Sequence, residues 1–193
     1  MAKHHFFAYL FRMKHLRRWP LMRSSVKEDV AQHSHQVAMV AHALALYKNL
    51  YFGGGADPGR AAALALYHEA PEVITGDIAT PIKYASPEFR ASFGVIEALA
   101  AGKLHAALPE GLREAFRGLL IEPENDPEWR RVKAADTICA YIKCVEELKA
   151  GNAEFARAER ETRKKVEAIE LPEARRFLEE CLPSFSLTID EMD

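Results

Sequence analysis

Apolar residues recur every three or four positions along most of this chain, and strand-like alternation is essentially absent. Alanine, leucine, glutamate and arginine dominate these stretches, and all four residue types favour helices. The pattern is clearest where Val30, His33, Val37, Val40 and Leu44 fall on one helical face. A chain patterned in this way predicts an all-α fold.

Proline and glycine residues divide this pattern into segments. Pro20 is predicted to end the first helix, because a residue before proline is pushed out of the helical region. Gly53 begins a glycine run that ends the second helix, and Pro71 ends the third or restarts it as a new first turn. Residues 75–84 carry Gly76 and Pro81 and are expected to form an irregular loop. We predict helices near residues 3–17, 29–50, 58–70, 87–106, 110–121, 127–150, 153–169 and 172–181.

The composition indicates one globular domain spanning residues 1–193, with 49% hydrophobic and 28% charged residues. A net charge of −2 gives no electrostatic reason to expect binding to a nucleic-acid polymer or a membrane surface. No apolar run approaches the ~20 residues of a membrane-spanning helix. The chain has three cysteines and no Cys-x-x-Cys pair, which is typical of reduced thiols in a cytoplasmic protein.

Three polar residues interrupt otherwise apolar helical faces. They are His33 on the second predicted helix, His68 at the end of the third, and Asp136 on the late helix over 127–150. A buried polar group without a partner costs about 1–3 kcal/mol. One explanation is a set of satisfied core residues, with Lys133 or Lys143 as the partner of Asp136.

A second explanation is a metal ion shared by His33, His68, Glu69 and Asp136. Imidazole and carboxylate ligands suit divalent cations such as manganese, iron, cobalt or zinc. The spacing is not that of a local motif, so the residues alone leave both explanations open. Glu72 and Asp77 follow closely, as carboxylates of the same site or as solvated surface residues.

Several long blocks carry a resemblance to a known family. They are HFFAYLFRMKHLRRWPLMR at residues 5–23, QHSHQVAMVAHALA at 32–45, YHEAPEVITGDIATPIKY at 67–84 and VKAADTICAYIKCVEELKAGN at 132–152. Together with the pattern of histidines and carboxylates, they resemble the HD-domain metal-dependent phosphohydrolases. Within that superfamily the chain is most similar to the bacterial 5′-deoxynucleotidases, and the similarity covers nearly the whole chain.

This resemblance implies a single-domain HD-type helical bundle that removes phosphate from deoxyribonucleoside 5′-monophosphates. It also implies a homodimer and a divalent metal cofactor such as cobalt, manganese or zinc. A related alternative is an HD-domain enzyme that acts on nucleoside triphosphates or signalling nucleotides. An alternative from another class is a non-catalytic module that binds a nucleotide or a metal.

Matching positions assign roles to individual residues. The resemblance implies metal ligands at His33, His68, Glu69 and Asp136. It implies catalytic roles for Glu72, Asp77 and Arg18, and leaves open which of the two carboxylates activates water. Substrate contacts are implied for Arg18, Trp19, Asp77, Thr80 and Lys83, with Arg18 at the phosphate and Trp19 at the sugar.

Two residues depart from the family pattern. Glu69 stands where the family usually has Asp, and Gln32 replaces an acidic residue common before the ligand histidine. Glutamate keeps the charge and the oxygen donors but adds one methylene. The metal preference or the metal affinity is therefore expected to differ from that of relatives with Asp.

Overall fold

Helices make up the regular structure of residues 4–83 and 85–192, the part of the chain that this computed structural model describes. The described residues contain no β-strand, and the single isolated bridge joins Arg17 to Asp29. The all-α prediction is confirmed. The helices are α1 Phe6–Leu10, α2 Val30–Tyr51, α3 Pro58–Tyr67, α4 Glu72–Thr75, α5 Thr80–Lys83, α6 Pro87–Ala106, α7 Glu110–Leu120, α8 Trp129–Lys149, α9 Ala156–Glu167 and α10 Pro172–Cys181.

The long helix α2 lies at the centre and packs against α3, α8 and α10. Its apolar stripe is buried as predicted, with Val37 and Leu44 fully covered in one contiguous core that includes Ile138 of α8. This packing brings one face of α2 and one face of α8 towards the end of α3. The polar residues that interrupt those faces therefore point to a common region.

Side-chain caps fix where the principal helices begin. Asp29 and Gln32 form a reciprocal capping box at the start of α2, with Gln32 N donating to Asp29 Oδ1 at 2.9 Å. Asp57 accepts from Arg60 N at 2.9 Å and so caps α3. Gln32 thus has a structural role at the position where the family commonly carries an acid.

The predicted helix over 3–17 is wrong. Residue 3 lies outside the described residues, α1 ends at Leu10, and a 3₁₀ turn follows over Met13–His15. The chain then leaves the helical path because it pairs with the segment that precedes α2. Arg18 N donates to Glu28 O at 3.1 Å, and Val30 N donates to Leu16 O at 3.0 Å.

The third predicted helix, over 58–70, ends early. The chain leaves α3 at Tyr67, passes through tight turns, and restarts as α4 after Pro71, which is the N-cap of α4. The segment expected to be irregular, 75–84, contains the one-turn helix α5, and its last residue lies outside the described part. The remaining helices lie within about three residues of their predicted limits. None of the helices described combines the length and apolar character needed to cross a membrane.

Candidate metal centre

Four polar side chains meet where α2, α8 and the end of α3 converge. One ligand atom from each of His33, His68, Glu69 and Asp136 lies within 4.8 Å of the other three. His33 comes from α2 and Asp136 from α8, while His68 and Glu69 belong to the turn after α3. The fold therefore brings together all four residues that were considered as metal ligands from the sequence.

The ring of His68 is oriented for binding by the helix end that carries it. Its Nδ1 lies 2.7 Å from the carbonyl oxygen of Ala65, which assigns the proton to Nδ1. The other nitrogen, Nε2, is buried without a hydrogen-bond partner among the described residues and lies 3.3 Å from Glu69 Oε1. A lone pair on Nε2 therefore faces the cluster, as a metal ligand requires.

His33 and Asp136 are in direct contact, with 3.0 Å between Nε2 and Oδ1. Burial lowers the pKa of His33, so the imidazole is neutral near pH 7. Burial opposes ionisation of Asp136, but the hydrogen bond from His33 and the charge of Lys133 hold its pKa well below the ordinary value. Lys133 Nζ donates to Asp136 Oδ2 at 2.8 Å, so the ion pair considered from the sequence exists beside the cluster.

Two carboxyl groups lie against each other at the edge of this cluster. Glu69 and Glu72 are close enough to share a hydrogen bond. Burial together with the charge of Glu69 raises the pKa of Glu72 to about 10. Burial also opposes the charge of Glu69, but His68 and the hydrogen bond from Glu72 hold its pKa well below the ordinary value.

A strained turn brings the guanidinium of Arg18 to the cluster. Arg18 Nη1 lies 3.9 Å from Glu69 Oε1, and the arginine side chain is 13% exposed. The next residue, Trp19, has a φ of 55°, which is the left-handed region that bulky residues avoid. Its ring packs on Phe155 with 5.4 Å between the centroids. The Arg18 guanidinium and the indole therefore border the candidate metal centre from one side.

Glu28 is a site residue that the sequence does not reveal. Its buried carboxylate accepts from Trp19 Nε1 at 3.0 Å and from Arg18 Nε at 3.3 Å. Glu28 precedes the N-cap of α2, so it lies on no helical face and interrupts no apolar stripe. The only sequence signal was its position a few residues before His33, which is too common to be specific.

The loop after α4 provides the remaining predicted residues. Asp77 is half-buried, and burial raises its pKa while the nearby charges of Arg18 and Lys83 oppose that rise. Lys83 Nζ donates to Glu97 Oε1 at 2.8 Å, and Thr80 is exposed at the start of α5. The charge of Arg18 thus reaches Asp77, whereas the Lys83 ammonium is paired with Glu97 of α6.

Comparison with known proteins identifies the family. The model of the family described as "5′-deoxynucleotidase YfbR-like" matches residues 5–185. The chain belongs to the YfbR-like family. A curated relative from Vibrio cholerae named 5′-deoxynucleotidase is 51% identical over 193 residues, and the similarity covers all of both chains.

Solved structures support the fold of this YfbR-like protein. An HD-domain phosphohydrolase from Listeria innocua matches with a TM-score of 0.82 and 25% identity, covering 96% of this chain and 90% of that one. The cyanophage S-2L HD phosphohydrolase DatZ, bound to dA and one catalytic Zn²⁺ ion, matches with a TM-score of 0.56 and 21% identity. It covers 95% of this chain and 96% of that one. The expected HD-type helical fold is confirmed.

Proposed function

We propose that this protein hydrolyses deoxyribonucleoside 5′-monophosphates to deoxyribonucleosides and phosphate, with a divalent metal as cofactor. The observation that carries the proposal is the four-ligand cluster beside Arg18, in a chain about half identical to a curated 5′-deoxynucleotidase. Hydrolysis of a phosphate monoester is very slow in water, so the site must activate water and neutralise charge. The cluster and the arginine are suited to these two tasks.

The donor set fits a divalent cation such as cobalt, manganese or zinc. Two neutral imidazoles and two carboxylates would hold it, namely His33, His68, Glu69 and Asp136. The unpartnered Nε2 of His68, fixed in its tautomer by Ala65, supports this assignment. When bound, the cation lowers the pKa of a coordinated water and polarises a phosphate oxygen. The zinc named for DatZ is consistent with this choice of cofactor.

Arg18 would bind the phosphate. Its guanidinium is held between two carboxylates, Glu28 and Glu69, and this placement orients its N–H groups beside the cluster. A guanidinium binds phosphate oxygens through paired hydrogen bonds, which also fixes the phosphorus for in-line attack. Trp19 would form one wall of the deoxyribose pocket and exclude a ribose 2′-hydroxyl by clash.

The two carboxyl residues near the cluster would move protons. Glu72 lies against the ligand Glu69, and the charge of Glu69 helps to raise its pKa. A bound cation would offset that charge, so we assign Glu72 to positioning the attacking water and, once ionised beside the cation, to taking its proton. Asp77 lies in the loop within electrostatic range of Arg18, and burial raises its pKa, which favours a protonated carboxyl, so we assign it to protonating the leaving 5′-oxygen. Thr80 and Lys83 belong to the same loop, and we propose that they contact the substrate when that loop closes.

The assembly and location are proposals of the same kind. We propose that residues 1–193 form one HD-type domain, since a single apolar core draws on helices from α1 to α10.

We also propose a homodimer, supported by large apolar side chains on one side of α6. Val95, Ile96 and Leu99 are 62%, 50% and 70% exposed there. A cytoplasmic location is supported by three free cysteines.

The decisive experiment measures phosphate release from deoxyribo- and ribonucleoside 5′-monophosphates with manganese, cobalt or zinc supplied. We expect metal-dependent release from the deoxy substrates and much slower release from the ribo forms. Asp136→Asn is the control, because it removes one ligand charge and should abolish both metal binding and release. If the protein is shown to bind metal but releases no phosphate from any deoxy substrate, the proposal is wrong.

The same assay separates the alternatives. A triphosphate hydrolase of the same fold would release triphosphate or diphosphate from nucleoside triphosphates and leave monophosphates intact. A non-catalytic module would bind metal and nucleotide without turnover. The names of the curated relatives favour monophosphate hydrolysis over both.

A further inference from the structure

The carboxylate of Glu28 lies at the junction of two elements of the candidate site. It is 8% exposed and sits between the turn that carries Arg18 and Trp19 and the first turn of α2, which carries His33. The backbone holds this junction closed, because Arg18 N donates to Glu28 O at 3.1 Å. The position of the carboxylate is therefore fixed relative to both elements.

One oxygen of Glu28 binds the two residues proposed to contact the substrate, Arg18 and Trp19. Oε2 accepts from the indole Nε1 of Trp19 at 3.0 Å and from Nε of Arg18 at 3.3 Å. These two bonds set the direction of the guanidinium and the plane of the indole. They also offset the strain of a tryptophan at positive φ, a conformation that persists only where neighbouring contacts enforce it.

The other oxygen faces the metal side. Oε1 lies 3.9 Å from Nδ1 of His33, and that nitrogen is buried with no hydrogen-bond partner in the described part of the chain. The opposite ring nitrogen, Nε2, faces Asp136 and the cluster. The second histidine, His68, has its own Nδ1 oriented by the carbonyl of Ala65. Glu28 Oε1 lies behind His33 beyond hydrogen-bond distance, and it would face the N–H of Nδ1 once Nε2 ligates a cation.

We propose that Glu28 is a positioning residue that couples the metal ligand His33 to the phosphate-binding Arg18 and the sugar-pocket Trp19 through a single carboxylate. The inference rests on the proposed function, since it takes the metal and substrate roles of these residues as given. A ligating histidine commonly donates its other N–H to a carboxylate, and loss of that partner costs about 10–100-fold in metal affinity or activity. Glu28 acts on the reaction only through the groups that it orients.

The test compares Glu28→Gln with the wild-type full-length chain. Glutamine keeps the volume but has no charge and only one acceptor oxygen. It therefore cannot accept from Arg18 and Trp19 through one oxygen and still present a second acceptor oxygen 3.9 Å from His33 Nδ1. We expect Co²⁺ affinity, titrated by visible absorption on metal-free protein without substrate, to fall about 10–100-fold. With saturating metal, KM for a deoxyribonucleoside monophosphate should also rise, because Arg18 loses its orienting charge.

Glu147→Gln is the matched control. Glu147 is a buried glutamate that anchors residues 25 and 26 of the same loop, and none of its hydrogen bonds reaches the cluster. The Glu147→Gln variant should have a lower melting temperature than wild type, while its Co²⁺ affinity stays within about twofold of the wild-type value. A loss of Co²⁺ affinity in Glu147→Gln equal to that in Glu28→Gln would show that loop anchoring alone is responsible and would overturn the proposal.

Further outcomes separate this inference from the proposed function. If wild type binds Co²⁺ and releases phosphate but Glu28→Gln matches it in affinity and KM, the inference fails and the function stands. If wild type neither binds Co²⁺ nor releases phosphate, both fail. Should circular dichroism show that Glu28→Gln is unfolded, Glu28→Asp replaces it, since it keeps the charge but withdraws the carboxylate by one methylene. Weaker Co²⁺ binding is again expected, and unchanged binding refutes the role.

Discussion

At the scale of single residues, the extra methylene of Glu69 lets its carboxylate reach both the ligand cluster and the guanidinium of Arg18. Oε1 lies 3.3 Å from His68 Nε2 and 3.9 Å from Arg18 Nη1, so one oxygen contacts both the ligand cluster and the guanidinium. An aspartate on the same backbone would be withdrawn from Arg18. The departure from the usual family residue therefore changes the geometry of the site while its charge is preserved.

Glu69→Asp is expected to weaken metal binding. The shorter side chain must pull the backbone inwards or lengthen its distance to the cation, and a loss of 1.4 kcal/mol corresponds to about tenfold in affinity. Isothermal titration of metal-free protein with Mn²⁺ and Zn²⁺ measures the change. Unchanged affinity and unchanged phosphate release would mean that the longer side chain is neutral here.

The two proton-transfer roles predict different responses to the leaving group. Loss of a general acid or base costs about 10²–10⁴-fold in rate. Asp77→Asn should lose most of its activity on a deoxynucleotide but retain more on p-nitrophenyl phosphate, whose leaving group needs no proton. Glu72→Gln should lose activity on both substrates, because water must be activated in either case. Equal losses on both substrates for both variants would contradict the assignment.

At the scale of elements, a buried glutamate of α8 holds the loop that leads from Trp19 to α2. Glu147 accepts from Ser25 N at 2.8 Å and from Ser25 Oγ at 2.7 Å. Lys143 donates to Glu147 and to the carbonyl of Val26, at 2.5 Å in each case. The loop is thereby fixed to the helix that also carries Asp136.

Glu147→Gln should destabilise the protein near pH 7 by about 3 kcal/mol, because Lys143 is left buried without its counter-charge. Burial opposes ionisation of Glu147, but the bonds from Lys143 and Ser25 hold its pKa well below 4.5. A lowered folded-state pKa gives stabilisation that is full above the unfolded value and is lost as the pH falls below it. Urea unfolding at pH 7 and at pH 3 should therefore show a smaller difference from wild type at pH 3.

Glu154→Gln is the control for this prediction. Glu154 binds Arg23 of the same loop at 3.1 Å, but the arginine is almost fully exposed. Exposed pairs contribute little, so urea midpoints should barely change. If Glu154→Gln destabilised the chain as much as Glu147→Gln, burial would not be the deciding property.

The first predicted helix shows where element-level inference fails. Its apolar spacing continues to Met13, which is buried, yet the helix stops at Leu10. The reason is non-local, since residues 16–18 pair with residues 28–30 and must adopt an extended path. The limits of α6 and α10 were predicted correctly because a serine cap, prolines and apolar spacing encode them locally.

At the scale of the whole molecule, the exposed side of α6 predicts a dimer contact. Large aliphatic side chains exposed this strongly on one helix are typical of an interaction surface. Leu99→Glu should convert a dimer to a monomer in light scattering coupled to gel filtration. Ile189→Glu is the control, since Ile189 is 78% exposed but lies in a short C-terminal turn, and it should leave the mass unchanged. A wild-type monomer, or a Leu99→Glu dimer, would contradict this surface.

The sequence by itself determined the all-α class and the limits of most of the long helices, and it marked four candidate ligands. Helical periodicity, caps, and glycine or proline breaks are local properties, and a polar residue on an apolar stripe is visible without a structure. The resemblance then supplied an expected chemistry for those residues.

Only the tertiary structure decided which of these residues meet. His33 and Asp136 are 103 positions apart in sequence and 3.0 Å apart in space, a distance that depends on how α2 packs against α8. The anchoring of residues 25 and 26 by Glu147 and the approach of Glu28 to Arg18 and Trp19 likewise depend on packing, whereas the tautomer of His68 is fixed locally by Ala65. A buried charge needs partners from whichever element the fold brings beside it, and no single segment of sequence specifies those partners.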